Sequence, residues 1–233
     1  MKELLMKRII YLFLFPIVLL YFSGCAYQEY TLLDAYPNLY ENPPASILIL
    51  PPVNKSTAVE AKEYFACSLS EAIGSKGYYT FPVEAVFTVL RDEGLYDTEI
   101  YTPELLTNLY KYFQADAVLL TSIEKWDKTW FLTSGNLQID AKYTLLSTTT
   151  GEKIWDFTSH TDVELTSSSD NLLVSMLESA IKTAVEDYFP NCLAANKETM
   201  NRGLPYGKHH PLFGTDTAYS IPPGKTVDIK INK

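Results

Sequence analysis

The hydrophobic pattern changes character several times along the chain. Residues 9–22 form a charge-free apolar run, interrupted only by Pro16. Residues 26–45 have no period; stretches such as Tyr36-Pro37 and Asn42-Pro43-Pro44 read as a polar, aromatic, Pro-rich tether. Ordered structure is expected to begin at Ser46. Ile47-Leu48-Ile49-Leu50, stopped by Pro51-Pro52, predicts a strand covered on both faces. Ala61, Phe65, Leu69, Ala72 and Ile73 share one face of a helix over residues 59–75, ended by Gly74 and Gly77. A short strand follows over 78–81, then a helix over 83–92. Thr102-Pro103-Glu104 supplies an N-cap, a first-turn proline and an acid, and opens a third helix to Phe113 with Leu105, Leu109 and Tyr112 or Phe113 inward.

Residues 117–123 are the most apolar stretch after the first run and predict a central strand. Leu137, Ile139, Ala141, Tyr143 and Leu145 alternate strictly with polar residues, the period of a half-buried strand. Thr149-Thr150-Gly151-Glu152 turns it into a return strand over 153–163. Residues 126–135 lose the alternation and read as a hairpin connection with Trp130 and Phe131 near its tip. Leu173, Leu177, Ala180, Ile181, Ala184 and Tyr188 form the stripe of a last helix from Asp170, stopped by Pro190. Of residues 191–233 only 226–231 look strand-like. The order β-α-β-α-α-β-β-β-α predicts one three-layer α/β domain over residues 46–190. Its mixed sheet has five or six strands: helical crossovers give parallel pairs and the late hairpin gives antiparallel ones.

Lys2, Lys7 and Arg8 precede the first apolar run, and Ser23-Gly24-Cys25 follows it. A positive start, a short apolar core and small residues before a cysteine describe a lipoprotein signal, cleaved after residue 24 so that Cys25 carries the lipid. Phe22 stands where an aliphatic residue is usual. Ala26 is not the aspartate of an inner-membrane retention signal, which favours the outer membrane, with either a periplasmic or a surface-facing domain. Removing residues 1–24 leaves 16 Lys+Arg against 27 Asp+Glu, a net charge of −11. That balance argues against nucleic acid and against a polybasic membrane patch, so attachment falls to the acylated Cys25. Cys67 and Cys192 remain in an oxidising compartment, free either to pair as a disulfide or to stay separate thiols.

Few constellations carry chemistry. Ser122-Ile-Glu-Lys125 and Ser179-Ala-Ile-Lys182 match Ser-x-x-Lys without its companion motifs. Gly224-Lys225-Thr226 resembles the end of a phosphate loop but lacks the upstream glycine, with Tyr219 in its place. His160, His209 and His210 are too few and too scattered for a metal centre. Asp116, Glu124, Asp127 and Asp140 read as a solvated acidic face. Neither a metal nor a cofactor is expected. The aromatic load stands out: 17 Tyr and 3 Trp, with Tyr78, Tyr79, Tyr96, Tyr101, Tyr110 and Tyr112 around the middle helices, as in a Tyr-rich core margin or an interface.

Several segments together carry a resemblance. Ser46-Ile-Leu-Ile-Leu-Pro-Pro-Val-Asn-Lys-Ser56, Gly77-Tyr-Tyr-Thr-Phe-Pro-Val83, Gly94-Leu95, Phe113-Gln-Ala-Asp-Ala-Val-Leu119, Thr150-Gly-Glu-Lys-Ile-Trp155 and Leu204-Pro-Tyr-Gly-Lys-His-His-Pro211 resemble a family of bacterial lipoproteins known from a meningococcal surface vaccine antigen. Gln114 stands where that family has glycine, and residues beyond 214 do not align. The resemblance implies a fold like the N-terminal domain of TolB and of CsgG-type secretion lipoproteins. It implies a non-catalytic module in envelope transport or assembly, whose partners are envelope proteins such as a CsgG-like lipoprotein or a transporter, or further copies of itself. The expected partner surface is the 51–57 loop with Asn54, the aromatic middle segment with Trp130, and Tyr206, His209 and His210. A serine- or carboxylate-dependent envelope hydrolase and a small-ligand carrier are the rival readings.

Overall fold

In chain order the elements are α1 (Leu32–Ala35), α2 (Pro37–Glu41), β1 (Ser46–Ile49), β2 (Val53–Asn54), α3 (Ala61–Gly74), β3 (Tyr79–Thr80), α4 (Val83–Asp92), α5 (Pro103–Phe113), β4 (Ala117–Phe131), β5 (Ser134–Ser147), β6 (Lys153–Thr166), α6 (Phe189–Gly203) and β7 (Thr226–Ile231). They come from a computed structural model that describes residues 30–96, 102–131, 134–166 and 188–231. The signal segment, Cys25, Tyr101 and all but the last residue of the helix expected over 170–188 lie outside those residues.

One mixed α/β sheet organises the fold. Its strand order is β3-β1-β4-β5-β6-β7, with β2 also on β4, so it has seven strands rather than five or six. β1 pairs in parallel with β3 and β4, and β2 in parallel with β4. β4, β5 and β6 form an antiparallel meander, and β7 adds in parallel to β6. β2 continues β1 after Pro51-Pro52, which lack the N–H groups a ladder needs.

β1 is covered on both faces: Ile47, Leu48, Ile49 and Leu50 are all buried. The meander is covered on one face. Leu137, Ile139, Ala141, Tyr143 and Leu145 of β5 point inward, as do Trp155, Phe157, Val163 and Leu165 of β6. Between them, Lys142, Asp140 and His160 face solvent. Helix α3 buries the stripe read from its spacing, Ala61, Phe65, Leu69, Ala72 and Ile73, and packs against α6. Thr102 caps α5, its hydroxyl accepting from Leu105 N at 3.2 Å. In α5, Leu106 and Leu109 are buried while Tyr112 is exposed.

Three expectations need correction. Residues 126–135 do form a hairpin with Trp130 and Phe131 near its tip, but as paired strand rather than connection: β4 and β5 run through to Phe131 and Ser134. A bulge between Ile123 and Lys125 inserts Glu124, so Ile123 and then Trp126 face inward and the strict alternation is lost. Residues 30–45 are not a free tether. Thr31 and Asp34 form a reciprocal capping box that starts α1, and Leu32, Tyr36 and Leu39 are buried in the domain. Residues 191–203 are helical, because Pro190 stands in the first turn of α6, where its missing N–H costs nothing.

Candidate functional site

Strand directions give the molecule two ends. β1, β3, β4, β6 and β7 all run in the same direction, away from an end here termed the foot. Residues 30–46, the β5–β6 turn and residues 204–225 gather there. β4, β5 and β6 have 14–15 residues each. At about 3.3 Å per residue they extend roughly 45–50 Å to a tip at Trp130 and Gly135. This distal part is the arm.

The foot is braced by buried polar groups from distant parts of the chain. Asp116 Oδ2 accepts from Ala45 N (2.7 Å), Ser46 N (3.1 Å) and Ser46 Oγ (3.2 Å). Asp216, 1% exposed, accepts from Tyr206 N at 2.8 Å and from the Tyr40 hydroxyl at 3.1 Å. Tyr78 donates to Pro205 O at 3.0 Å, and Trp155 Nε1 to Gly203 O at 2.8 Å. Lys76 is 4% exposed, its amine 3.8 Å from the centre of the Tyr206 ring. Burial lowers its pKa to about 8, against the opposing pull of Asp216. The Tyr206 ring also stacks on His210, with centroids 4.2 Å apart. Beside this network an open cleft of about 680 Å³ is lined by Asn38, Glu41, Asn42, Glu152 and Lys208, among others.

The expected partner surface is not continuous. Tyr206 and His210 are half-buried in the foot, where His210 lies against Gly77, and His209 is exposed beside them. Asn54 lies beyond the C-terminal end of β1. It organises its own loop: its amide donates to Ala58 O at 2.6 Å and its carbonyl accepts from Ser56 N at 3.0 Å. Trp130 pairs with Gly135 at the tip of the arm. Asn54 sits opposite Ile123, about midway along β4, and Trp130 near its far end, so both lie away from the other three but not together.

The remaining candidates are separated too. Glu124 contacts Lys55 and Lys142, which hold its pKa down although burial pushes it up. Asp127 contacts Lys125, Asp140 contacts His160, and Asp116 is in the foot, so the acids do not converge. Lys125 donates to Gln138 at 2.6 Å rather than to Ser122, and Ser179–Lys182 lies outside the described residues. Lys225 donates to Asp156 at 2.8 Å and lies over the Tyr36 ring, so its charge serves the foot. Cys67 and Cys192 are not bridged. Cys67 is exposed on α3, its thiol pKa raised by burial and then by Glu84 and Glu63, and Cys192 is buried. Among the described residues no group of three or more His, Cys, Asp or Glu is placed to hold a metal ion. The aromatic middle segment splits: Tyr78 is core, while Tyr79, Tyr110 and Tyr112 are exposed.

Lys76 and Asp216 escaped the sequence reading, and Asp116 was read as a solvated acid rather than a brace for Ala45 and Ser46, because no spacing links residues so far apart. The Thr31-Leu-Leu-Asp34 capping box was a usable signal for α1.

Among known proteins, the chain is similar to Putative lipoprotein NMB1124/NMB1162 of Neisseria meningitidis serogroup B, 26% identical over 162 residues, which cover 68% of this chain and 74% of that protein. The crystal structure of lipoprotein GNA1162 from Neisseria meningitidis matches 60% of this chain and 97% of its own at 26% identity, with a TM-score of 0.46. A PelC dodecamer from Paraburkholderia phytofirmans matches at 11% identity and a TM-score of 0.40, covering 74% and 92% of the two chains. The model of the family described as Putative lipoprotein GNA1162-like matches residues 34–218, about four-fifths of the chain. The chain belongs to that family.

Proposed function

We propose that this chain is an outer-membrane lipoprotein, acylated at Cys25, that works as a non-catalytic docking module in an envelope transport or assembly system. Family membership supports a place in the cell envelope. The observation that carries the docking role is the arm. Beyond β2, which pairs only as far as Ile123, the outer edge of β4 has no strand partner among the described residues. An open strand edge is a template for another protein's strand. Lys125, Asp127 and Lys128 place charges along it, which limits indiscriminate pairing and leaves it to a complementary partner. Polar groups in the foot are already consumed by scaffold bonds, which supports a binding rather than a catalytic use of the surface.

In-cell crosslinking tests this reading. A photoreactive residue at position 130 or 127 is expected to capture a defined envelope protein, whereas one at the half-buried Glu198 on α6 is not. Equal capture from all three positions, or from none, would remove the arm as the docking site.

A further inference from the structure

We propose that the foot lies directly on the membrane, with Tyr30, Leu33 and Tyr219 at the level of the lipid headgroups; this rests on acylation of Cys25. The three side chains are among the exposed large hydrophobic residues, at 50%, 40% and 57% exposure. The backbone holds them together. Leu32 N donates to Tyr219 O (2.8 Å), Leu33 N to Thr217 O (3.3 Å) and Ile221 N to Tyr30 O (2.8 Å), and Thr31 bridges Ser220. Beside them Ala35, Ile221, Pro222 and Pro223 line an open, mainly apolar cleft of about 390 Å³.

Chain length selects the occupant. Tyr30 follows Cys25 by five residues, a reach of at most about 18 Å even when fully extended. No slack is available after Tyr30, because Leu32, Tyr36 and Leu39 are buried in the domain. A lipid on Cys25 therefore holds this part of the foot close to the bilayer surface. Tyrosine suits that depth, with an apolar ring and a polar tip. The mature charge of −11 makes attraction to anionic lipid an unsuitable alternative. The acyl chains provide attachment, and the patch sets orientation. The arm then points away from the membrane, with its tip roughly 45–50 Å beyond the foot.

The test uses the lipidated protein in vesicles of phosphatidylethanolamine and phosphatidylglycerol that contain doxyl lipid. In a Cys67→Ser background, Leu33→Cys, Tyr219→Cys and Val59→Cys are each labelled with an environment-sensitive fluorophore. Val59 is an equally apolar control, 83% exposed at the arm side of the molecule. Quenching at 33 and 219 is expected to exceed that at 59 by roughly twofold or more. Leu33→Cys and Tyr219→Cys report the same surface, so one misfolded variant leaves a reading. Equal quenching at all sites, or stronger quenching at 59, in protein that floats with the vesicles overturns the orientation but not the anchor. Protein that fails to float overturns acylation of Cys25, and the orientation with it.

Discussion

The foot and the arm belong to one sheet but are built by different means. In the foot, side chains far apart in sequence satisfy one another: Asp116 holds the start of β1, Asp216 joins α2 to the Tyr206 backbone, and Trp155 reaches the end of α6. In the arm, the antiparallel ladder does most of the work. There, buried polar atoms such as Trp126 Nε1 and Thr161 Oγ1 have no hydrogen-bond partner among the described residues. A buried group left unpaired costs about 1–3 kcal/mol. The foot is thus a cross-linked base, and the arm is a self-paired ribbon that tolerates local imperfection.

That contrast can be broken most directly at Gly77. Its φ is +87°, and a Cβ there would lie 2.5 Å from His210 Cβ and 2.7 Å from His210 N. Gly77→Ala combines left-handed strain with a clash against backbone, so a loss of roughly 2–4 kcal/mol is expected in urea unfolding. A loss below about 0.5 kcal/mol would show that the foot yields as an ordinary surface does.

A matched pair sharpens the comparison. Trp155→Phe leaves the Gly203 carbonyl without its donor and is expected to cost about 2 kcal/mol, whereas Trp126→Phe removes an unpaired N–H and should cost no more than about 1 kcal/mol. Thermal denaturation of the two variants side by side measures the difference. Equal losses would mean that polar satisfaction does not distinguish the two ends.

The smallest effect concerns the end of α5. Gln114 has φ 52°, the left-handed conformation that glycine adopts without strain. Gln114→Gly is expected to raise stability by about 1 kcal/mol, seen as a higher unfolding midpoint in the same assay. A fall would show that the Gln114 side chain contributes more than its backbone costs.

Much of the scaffold was legible because it follows from local periods. The stripe from Ala61 to Ile73 and the alternation from Leu137 to Leu145 bury the residues their spacing selects. Thr102 and Pro103 open a helix as their chemistry requires. Legibility failed where a long-range constraint overrides a local one. The bulge at Glu124 erases the alternation of β4 although the strand continues. Pro190 reads equally as the end of one helix and the start of another. Tyr36 looks like a tether residue, yet its hydroxyl donates to Asp156 O and its ring meets Trp155 at 6.3 Å.

The expected partner surface shows the same division. Its residue types were sound candidates for recognition, but strand direction sends Asn54 and Trp130 one way and Tyr206, His209 and His210 the other. Direction is a property of the sheet and has no local signature.

The sequence by itself determined the α/β class, the register of apolar faces and the acidic charge, because each depends on neighbouring residues or on totals. Only the tertiary structure decided that residues 30–45 are part of the domain, that Cys67 and Cys192 stay unbridged, and that foot and arm are opposite. Those outcomes depend on which distant groups meet, and a meeting is set by chain path and packing rather than by any spacing along the chain.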